Sequence, residues 1–423
     1  MVRSWLRETA GGLPATFWYL WTGTLVNRLG GFVLIFLAVY LTRERGFSDI
    51  QAGLVVGLWS AGGAAGTMAG GVLADRWGRR PTLLLAHIGA AAMMLTLGLA
   101  RDYWAIAAAA LVLGMFAEAA RPAFGAMMVD VVPDRDRIRA FSLNYWAINV
   151  GFAAAAILGG FAAHLDYLLL FCVDATTTLV TAAIIFVKVR ETRPAVAPGP
   201  AAGGTVAGGG LGLVLRDRVF LLFAAVNVLT AMMFLQHVSM LPIAMTDDGH
   251  SSSTFGWVIS LNGVLIVLGQ LFIPRLIAGH GRSRVLAVGV LVQGIGFGLT
   301  AFAGSAWFYA VTVLVWTLGE MVHSPSTATT LAELAPASVR GRYQGVFSLS
   351  WAVAGFTGPL VGGFVRDTLG NSALWLGCAL VGLAGAAIHV LSGPSRERRA
   401  AALAAAARPP VTSDTLAPSA ATS

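Results

Sequence analysis

Charge is scarce in this sequence. Only 11% of its 423 residues are charged, against 57% that are hydrophobic, whereas a soluble domain carries about a quarter of its residues as charges. That composition excludes a soluble fold. Lysine is nearly missing: Lys188 is the only one, so the basic character rests on arginine. The two cysteines, Cys172 and Cys378, fall inside apolar runs and offer packing atoms, not a disulfide framework, and the seven histidines are scattered without the spacing of metal ligands. No GxxxxGK[ST] phosphate loop occurs, and no nucleophile–base pair is visible. These absences give no reason to expect an enzyme, a catalytic residue, a metal or a cofactor.

What is present is long apolar segments. Twelve of them, roughly 14–41, 50–74, 82–100, 104–131, 141–163, 167–188, 219–244, 254–279, 284–303, 306–333, 344–365 and 372–391, are each long enough to cross a bilayer as a helix. The expected fold class is therefore an all-α membrane protein of twelve transmembrane helices. The first segment carries Asn27 and Arg28 at its centre and runs into Arg43-Glu44-Arg45 with no small-residue cleavage site, so it reads as a retained span. The net charge of +8 would point to nucleic acid in a soluble protein. Here its distribution sets the topology instead. With the N-terminus inside, most of the 28 basic residues lie in cytoplasmic loops and tails, leaving Arg43, Arg45, Arg101 and Arg366 outside and Arg28 and Arg121 within the membrane. The expectation is a multi-pass protein of the cell (inner, cytoplasmic) membrane with both termini cytoplasmic, partnered by the lipid bilayer and not by nucleic acid.

The chain also repeats itself. One constant shift places Gly78-Arg79 on Gly281-Arg282, Pro122 on Pro325, Asp130 on Glu333, Arg137 on Arg340, Arg139 on Arg342, and Gly159-Gly160-Phe161 on Gly362-Gly363-Phe364. Two homologous halves in parallel orientation follow from such a match. The boundaries read as 1–188 for an N-terminal six-helix bundle, 189–217 for a flexible Pro- and Gly-rich cytoplasmic linker, 218–393 for a C-terminal six-helix bundle and 394–423 for a disordered cytoplasmic tail.

Where the second apolar segment ends stands Gly71-Val72-Leu73-Ala74-Asp75-Arg76-Trp77-Gly78-Arg79-Arg80. This run resembles the loop signature G-x-L-A-D-R-x-G-R-[KR] of major facilitator superfamily transporters, with every fixed position filled. The resemblance covers residues 14–392 and is strongest to the twelve-span drug:proton antiporters. It implies two pseudo-symmetric six-helix bundles and a conformational gate made of Gly71, Asp75, Arg76, Gly78, Arg79 and Arg80, with Asp75 meeting Arg340 or Arg342 at the start of the eleventh span. The alternative is that the arginines merely anchor the loop. The second half keeps only Gly281-Arg282, with Ala278 at the place of Asp75. A second family feature, the Gly-Pro kink of the fifth span in exporters, is replaced here by Ala155-Ala156, while the eleventh span carries Gly358-Pro359-Leu-Val-Gly362-Gly363.

Ionisable side chains inside a bilayer are costly and usually functional. Arg28, Glu118 and Glu320 each lie about 21 Å along their helices, near the midplane. The family's cavity is lined by the first, fourth, seventh and tenth spans, so Arg28 and Glu118 are expected to pair, with Arg121 one turn on. In the tenth span Glu320 and His323 repeat the spacing of Glu118 and Arg121. Arginine holds its carboxylate ionised, whereas histidine can give up its proton, so Glu320 with His323 is the expected proton-coupling site, with Glu118 and Asp174 next. A buried polar pair that only holds helices together is the competing reading. Asp174 on a support helix suits an intrabundle hydrogen bond better than a transport role.

The substrate cavity is expected to hold Asn27, Arg28, Arg121, Trp146, Phe234, His237, Trp316 and Trp351, an aromatic surface suited to amphipathic ligands; packing in the helix core is the plainer role for the rings. Asn262 is a further polar candidate. The resemblance thus implies a secondary active transporter working by alternating access, expelling small amphipathic or drug-like compounds against protons and functional as a monomer. A proton-linked importer or facilitator of a sugar, peptide or metabolite is the alternative within transport, and a non-transporting sensor the alternative outside it.

Overall fold

The computed structural model describes residues 11–192, 211–270, 272–336 and 339–406, and among them every regular element is helical. The linker residues 193–210 and the last residues 407–423 lie outside that set. Eleven helices are long and apolar enough to span a membrane. In our numbering they are α1 (Ala15–Glu44), α2 (Asp49–Arg76), α3 (Arg79–Leu99), α4 (Tyr103–Val131), α5 (Arg137–Leu165), α6 (Tyr167–Lys188), α7 (218–247, in three segments), α8 (Ser252–Gly269), α9 (Arg282–Leu299), α11 (Arg340–Leu369) and α12 (Asn371–Leu391). The twelfth, α10 (Ala306–Leu334), is 29 residues long and packs among them; Glu320, His323 and a Ser/Thr-rich second half lower its hydropathy. The fold is all-α, two six-helix bundles.

Local chemistry sets the helix starts. Ser48 and Gln51 form a reciprocal capping box at α2, and Asp102, Asp166, Asp217, Ser251 and Ser305 each accept a backbone N–H at the start of α4, α6, α7, α8 and α10. The internal repeat reappears as geometry. Arg79 pairs with Asp130 at 3.2 Å in the first bundle, and Arg282 pairs with Glu333, the matching residues, in the second. Pro122 and Pro325 stand inside α4 and α10 at matching places.

The bundles are built on glycine contacts. A Cβ on Gly62, Gly66 or Gly70 of α2 would stand 1.9, 2.0 or 2.3 Å from a backbone oxygen of α4, so only hydrogen at those positions lets the two backbones approach. Between the bundles, Gly53 and Gly57 of α2 face Pro359 and Phe356 of α11, while Gly256 and Gly263 of α8 face Ala156 and Asn149 of α5. The loss of Gly-Pro from α5 leaves this seam close-packed.

The tail differs from expectation. Residues 393–406 form a further helix, α13 (Gly393–Ala406), because alanine-rich sequence favours helix and because its arginines find partners. Arg396 is buried, donating to Ser283 Oγ and to the His389 carbonyl, and Arg399 pairs with Asp217. Burial pulls Arg396 below the ordinary arginine value. Composition alone hides these bonds.

A polar midplane and two unlike ends

The first helix is broken where the ionisable residues begin. Its regular turns stop at Leu29 and resume at Val33. The resumed segment has free backbone N–H groups that need an acceptor, and Asp174 of α6 supplies it, Oδ2 accepting from Val33 N at 3.1 Å. Next to it, Asn27 donates to Thr178 at 2.9 Å and Thr181 to the Gly23 carbonyl at 3.0 Å. Asp174 and Asn27 thus belong to the α1–α6 seam. The intrabundle bond expected of Asp174 is there, with a backbone partner, and Asn27, expected in the cavity, is half-buried and spends its amide on this seam.

Arg28 precedes the break and is held from the other side by α5, where a Cβ on Gly151 would come within 2.4 Å of the Arg28 Cβ. It lies deep among the helices, with Glu118, Arg121 and Asp174 as its charged neighbours, yet its surface is exposed. A side chain that is both central and exposed faces an internal opening. The expected Arg28–Glu118 ion pair does not form among the described residues. Glu118 is taken by Arg121 at 3.1 Å, because one helical turn brings i and i+3 together without crossing the opening. The Arg121 side chain is 71% exposed.

In the second bundle the carboxyl of Glu320 receives Asn262 Nδ2 at 2.8 Å, and Asn262 is shared with Thr317. No arginine or lysine pairs with Glu320 among the described residues. Tyr145 of α5, in the other bundle, lies within its electrostatic reach. His323 is not its partner. One turn on, the ring turns toward Thr327 at 3.2 Å and the His389 ring at 6.0 Å, packed under Gly289. The i, i+3 spacing that joins Glu118 to Arg121 fails here because a short imidazole buried among α9 and α12 cannot reach back as a long guanidinium does.

The aromatic residues divide. Trp146 and Trp351 are 46% and 43% exposed; Trp146 stacks on Trp21 with centroids 6.5 Å apart, and Trp351 meets the edge of Phe234 at 6.3 Å. Trp316, expected in the cavity, is fully buried, stacked on Phe297 at 5.3 Å. His237 is buried against it at 5.5 Å with Nδ1 on the Phe234 carbonyl at 2.7 Å. These two form core.

At the linker end, Gly78 adopts φ +125°, a turn that favours glycine, and lets the α2–α3 loop close over Glu191, whose carboxylate accepts from Arg79 N and Arg80 N at 3.0 Å each. Arg80 also donates to the Phe186 carbonyl at 2.6 Å, and Arg76 stands in the last turn of α2. A Cβ on Gly71 would meet only the Pro122 Cβ, at 4.0 Å; the close approach of α2 to α4 is made by Gly70 and Gly66. Asp75 is 78% exposed, 3.9 Å from Arg79. Among the described residues no ion pair joins Asp75 to Arg340 or Arg342, so the resemblance-based contact is not made in this conformation.

At the opposite end the bundles are tied. Arg366 of α11, its side chain 8% exposed, reaches both Asp49 of α2 and Asp247 of α7; Arg43 of α1 reaches the same Asp247; and Asp367 accepts from Ile50 N at 2.9 Å. Tyr167 and Ser252 add a bond at 3.2 Å. Sequence reasoning missed this latch and Glu191. Their partners lie far apart in the chain, and only the reservation of Arg43 and Arg366 to the outer side hinted at them.

Comparison with known proteins places these features. The family model of the Major Facilitator Superfamily matches residues 20–246 and 237–420. The chain is 26% identical over 365 residues to a Na(+), Li(+), K(+)/H(+) antiporter of Planococcus maritimus, covering 78% of this chain and 84% of that one. It is 24% identical over 361 residues to the multidrug resistance protein MdtH of Escherichia coli, covering 84% and 88%. Among solved structures, the nucleoside transporter NupG superimposes with TM-score 0.76 at 14% identity, covering 91% of this chain and 99% of that one. A POT family transporter in complex with 5-aminolevulinic acid also gives 0.76 at 14% identity, with 90% and 97% covered.

Proposed function

The chain belongs to the major facilitator superfamily, and on that premise we propose that this membrane transporter exports small amphipathic or drug-like compounds in exchange for protons, working as a single chain by alternating access. The observation that carries the proposal is Glu320. A carboxyl held at the midplane by the neutral amide of Asn262, with no paired cation among the described residues, changes its charge only by taking or releasing a proton. That is what a coupling group must do. Arg28, Glu118 and Arg121 supply fixed charge across from it, and Trp146, Phe234 and Trp351 supply apolar faces for a ligand. The relatives that match over most of their length, one named for cation/proton antiport and one for multidrug resistance, support exchange and efflux.

In this reading the linker end is cytoplasmic, the Arg366 latch closes the outer end, and the structure is inward-open. Asp75 with Arg76, Gly78, Arg79 and Arg80 is then the inner gate in its parted state, meeting Arg340 or Arg342 when the inner end shuts. Proteoliposomes with an imposed pH gradient test the function. Export predicts that a gradient acid on the substrate-receiving side drives uptake into that compartment, protons leaving as substrate enters. Accumulation in the same direction as the protons makes the protein an importer, and accumulation indifferent to the gradient removes proton coupling. A cysteine placed at position 205 tests the topology: labelling only from the cytoplasmic side is expected, and labelling only from outside reverses the reading.

A further inference from the structure

Between the first turns of α7 and the last turns of α12, at the linker-side edge of the membrane region, lies a groove lined by Arg218, Val219, Leu222, Ile388, Leu391, Ser392 and Ser395. Its floor and its mouth differ in chemistry. Leu222, Ile388 and Leu391 run down the two helices toward the membrane core, and Leu222 and Leu391 are exposed on the outer surface of the bundle. Arg218 stands at the rim, where α7 begins, beside Ser392 and Ser395 at the junction of α12 and α13.

The neighbouring arginines of this corner are occupied: Arg396 by Ser283 and His389, Arg399 by Asp217 and Tyr343. Arg218 is exposed and makes no ion pair or side-chain hydrogen bond among the described residues. Asp217, the carboxylate beside it in the chain, is spent on Phe220 N, Tyr343 and Arg399. Ser392 donates its proton to the Ile388 carbonyl at 2.6 Å, leaving its oxygen lone pairs turned to other donors. An uncompensated cation over an apolar slot at the depth of the headgroups is complementary to one occupant, a lipid whose phosphate is anionic and whose chain is apolar.

We propose that this groove is a binding site for an anionic phospholipid of the linker-side leaflet, the phosphate on Arg218 and an acyl chain along Leu222, Ile388 and Leu391. The site lies outside the midplane cluster and does not depend on the direction or coupling of transport. Through Ser392 and Ser395 it touches the root of α13, so an occupied site braces the docked tail helix.

Native mass spectrometry of the full chain in detergent, titrated with phosphatidylglycerol or phosphatidylcholine, tests it. The wild type is expected to retain phosphatidylglycerol in preference to phosphatidylcholine, and R218Q to lose about fivefold of that retention, as removal of one interfacial cation implies. R218K, keeping the charge, should hold most of it. L222W, which fills the slot and leaves the charge, should lose the lipid as well. Arg218 is exposed, so R218Q leaves the fold intact. Equal retention of phosphatidylglycerol by wild type and R218Q overturns the proposal. So does retention by L222W equal to that of the wild type, or displacement of the lipid by millimolar inorganic phosphate, either of which makes the site a phosphate site with no lipid chain in it.

Discussion

Asp174 shows how a residue type can suggest one role and its neighbours assign another. A carboxylate in a span invites a coupling function, but this one accepts Val33 N where α1 is broken, and the break is invisible to a hydropathy reading because Gly30-Gly31-Phe32 sits inside a continuous apolar run. Asp174→Ala leaves the N–H of Val33 without its acceptor in a buried place, a cost of about 1–3 kcal/mol. Thermal unfolding in detergent should register the loss, with Asp174→Asn recovering much of it because the amide oxygen still accepts, and transport per folded molecule should stay near wild type in both. Abolished transport in a fully stable Asp174→Asn would return this residue to the coupling machinery. Glu118 and Arg121 were legible at i, i+3 and do pair. Glu320 and His323 have the same spacing, yet the sequence does not say that the imidazole turns into the α9–α12 packing.

Helices were the most legible level. The twelve apolar segments correspond to α1 through α12, with starts marked by Asp and Ser caps, and the repeat written in Arg79, Asp130, Arg282 and Glu333 returns as two ion pairs. Less legible was which glycine matters. Gly71 belongs to the signature, yet a Cβ there would meet only Pro122, whereas Gly66, outside it, lies against the Met115 carbonyl. Gly66→Val should therefore cost more than the about 1–3 kcal/mol typical of overpacking, because backbone cannot yield as a side chain can, and the yield of monodisperse protein should fall sharply. Gly71→Ala should purify as the wild type does. Equal behaviour of the two variants would mean that the α2–α4 seam is not set by backbone contact. The tail helix α13 escaped notice for a related reason: alanine and arginine look unable to build a core, and what holds Arg396 and Arg399 is hydrogen bonding to Ser283, His389, Asp217 and Tyr343.

Across the whole molecule, the two ends are unlike, and that asymmetry defines the conformational state. Arg366 joins Asp49 and Asp247 from two bundles, and its side chain is only 8% exposed. Removing it takes the cation from Asp49, whereas Asp247, 43% exposed, keeps Arg43, so the tie between α2, α7 and α11 weakens and the state in which this end is apart is favoured. Spin labels on cysteines at positions 101 and 307, in a background lacking Cys172 and Cys378, should report a longer distance across the Arg366 end in Arg366→Ala than in the parent. An unchanged distance distribution would show the latch to be incidental. The gate proposed at Asp75 belongs to the same scale: Asp75→Asn should impair transport, and changes at Ala278 should not, because only the first bundle carries an acidic residue there. Equal transport by Asp75→Asn and the wild type, normalised to protein in the membrane, would leave the loop an anchor.

Proton coupling through Glu320 is the central claim, and one substitution separates it from binding. Glu320→Gln keeps the partner Asn262 supplied with an acceptor oxygen and imitates a carboxyl that never gives up its proton. In proteoliposomes driven only by a pH gradient this variant should fail to concentrate substrate, while exchange of labelled for unlabelled substrate at equal pH on both sides should proceed close to the wild-type rate, since exchange moves no net proton. Concentration of substrate by Glu320→Gln under the pH gradient alone would contradict the account and place the coupling site elsewhere.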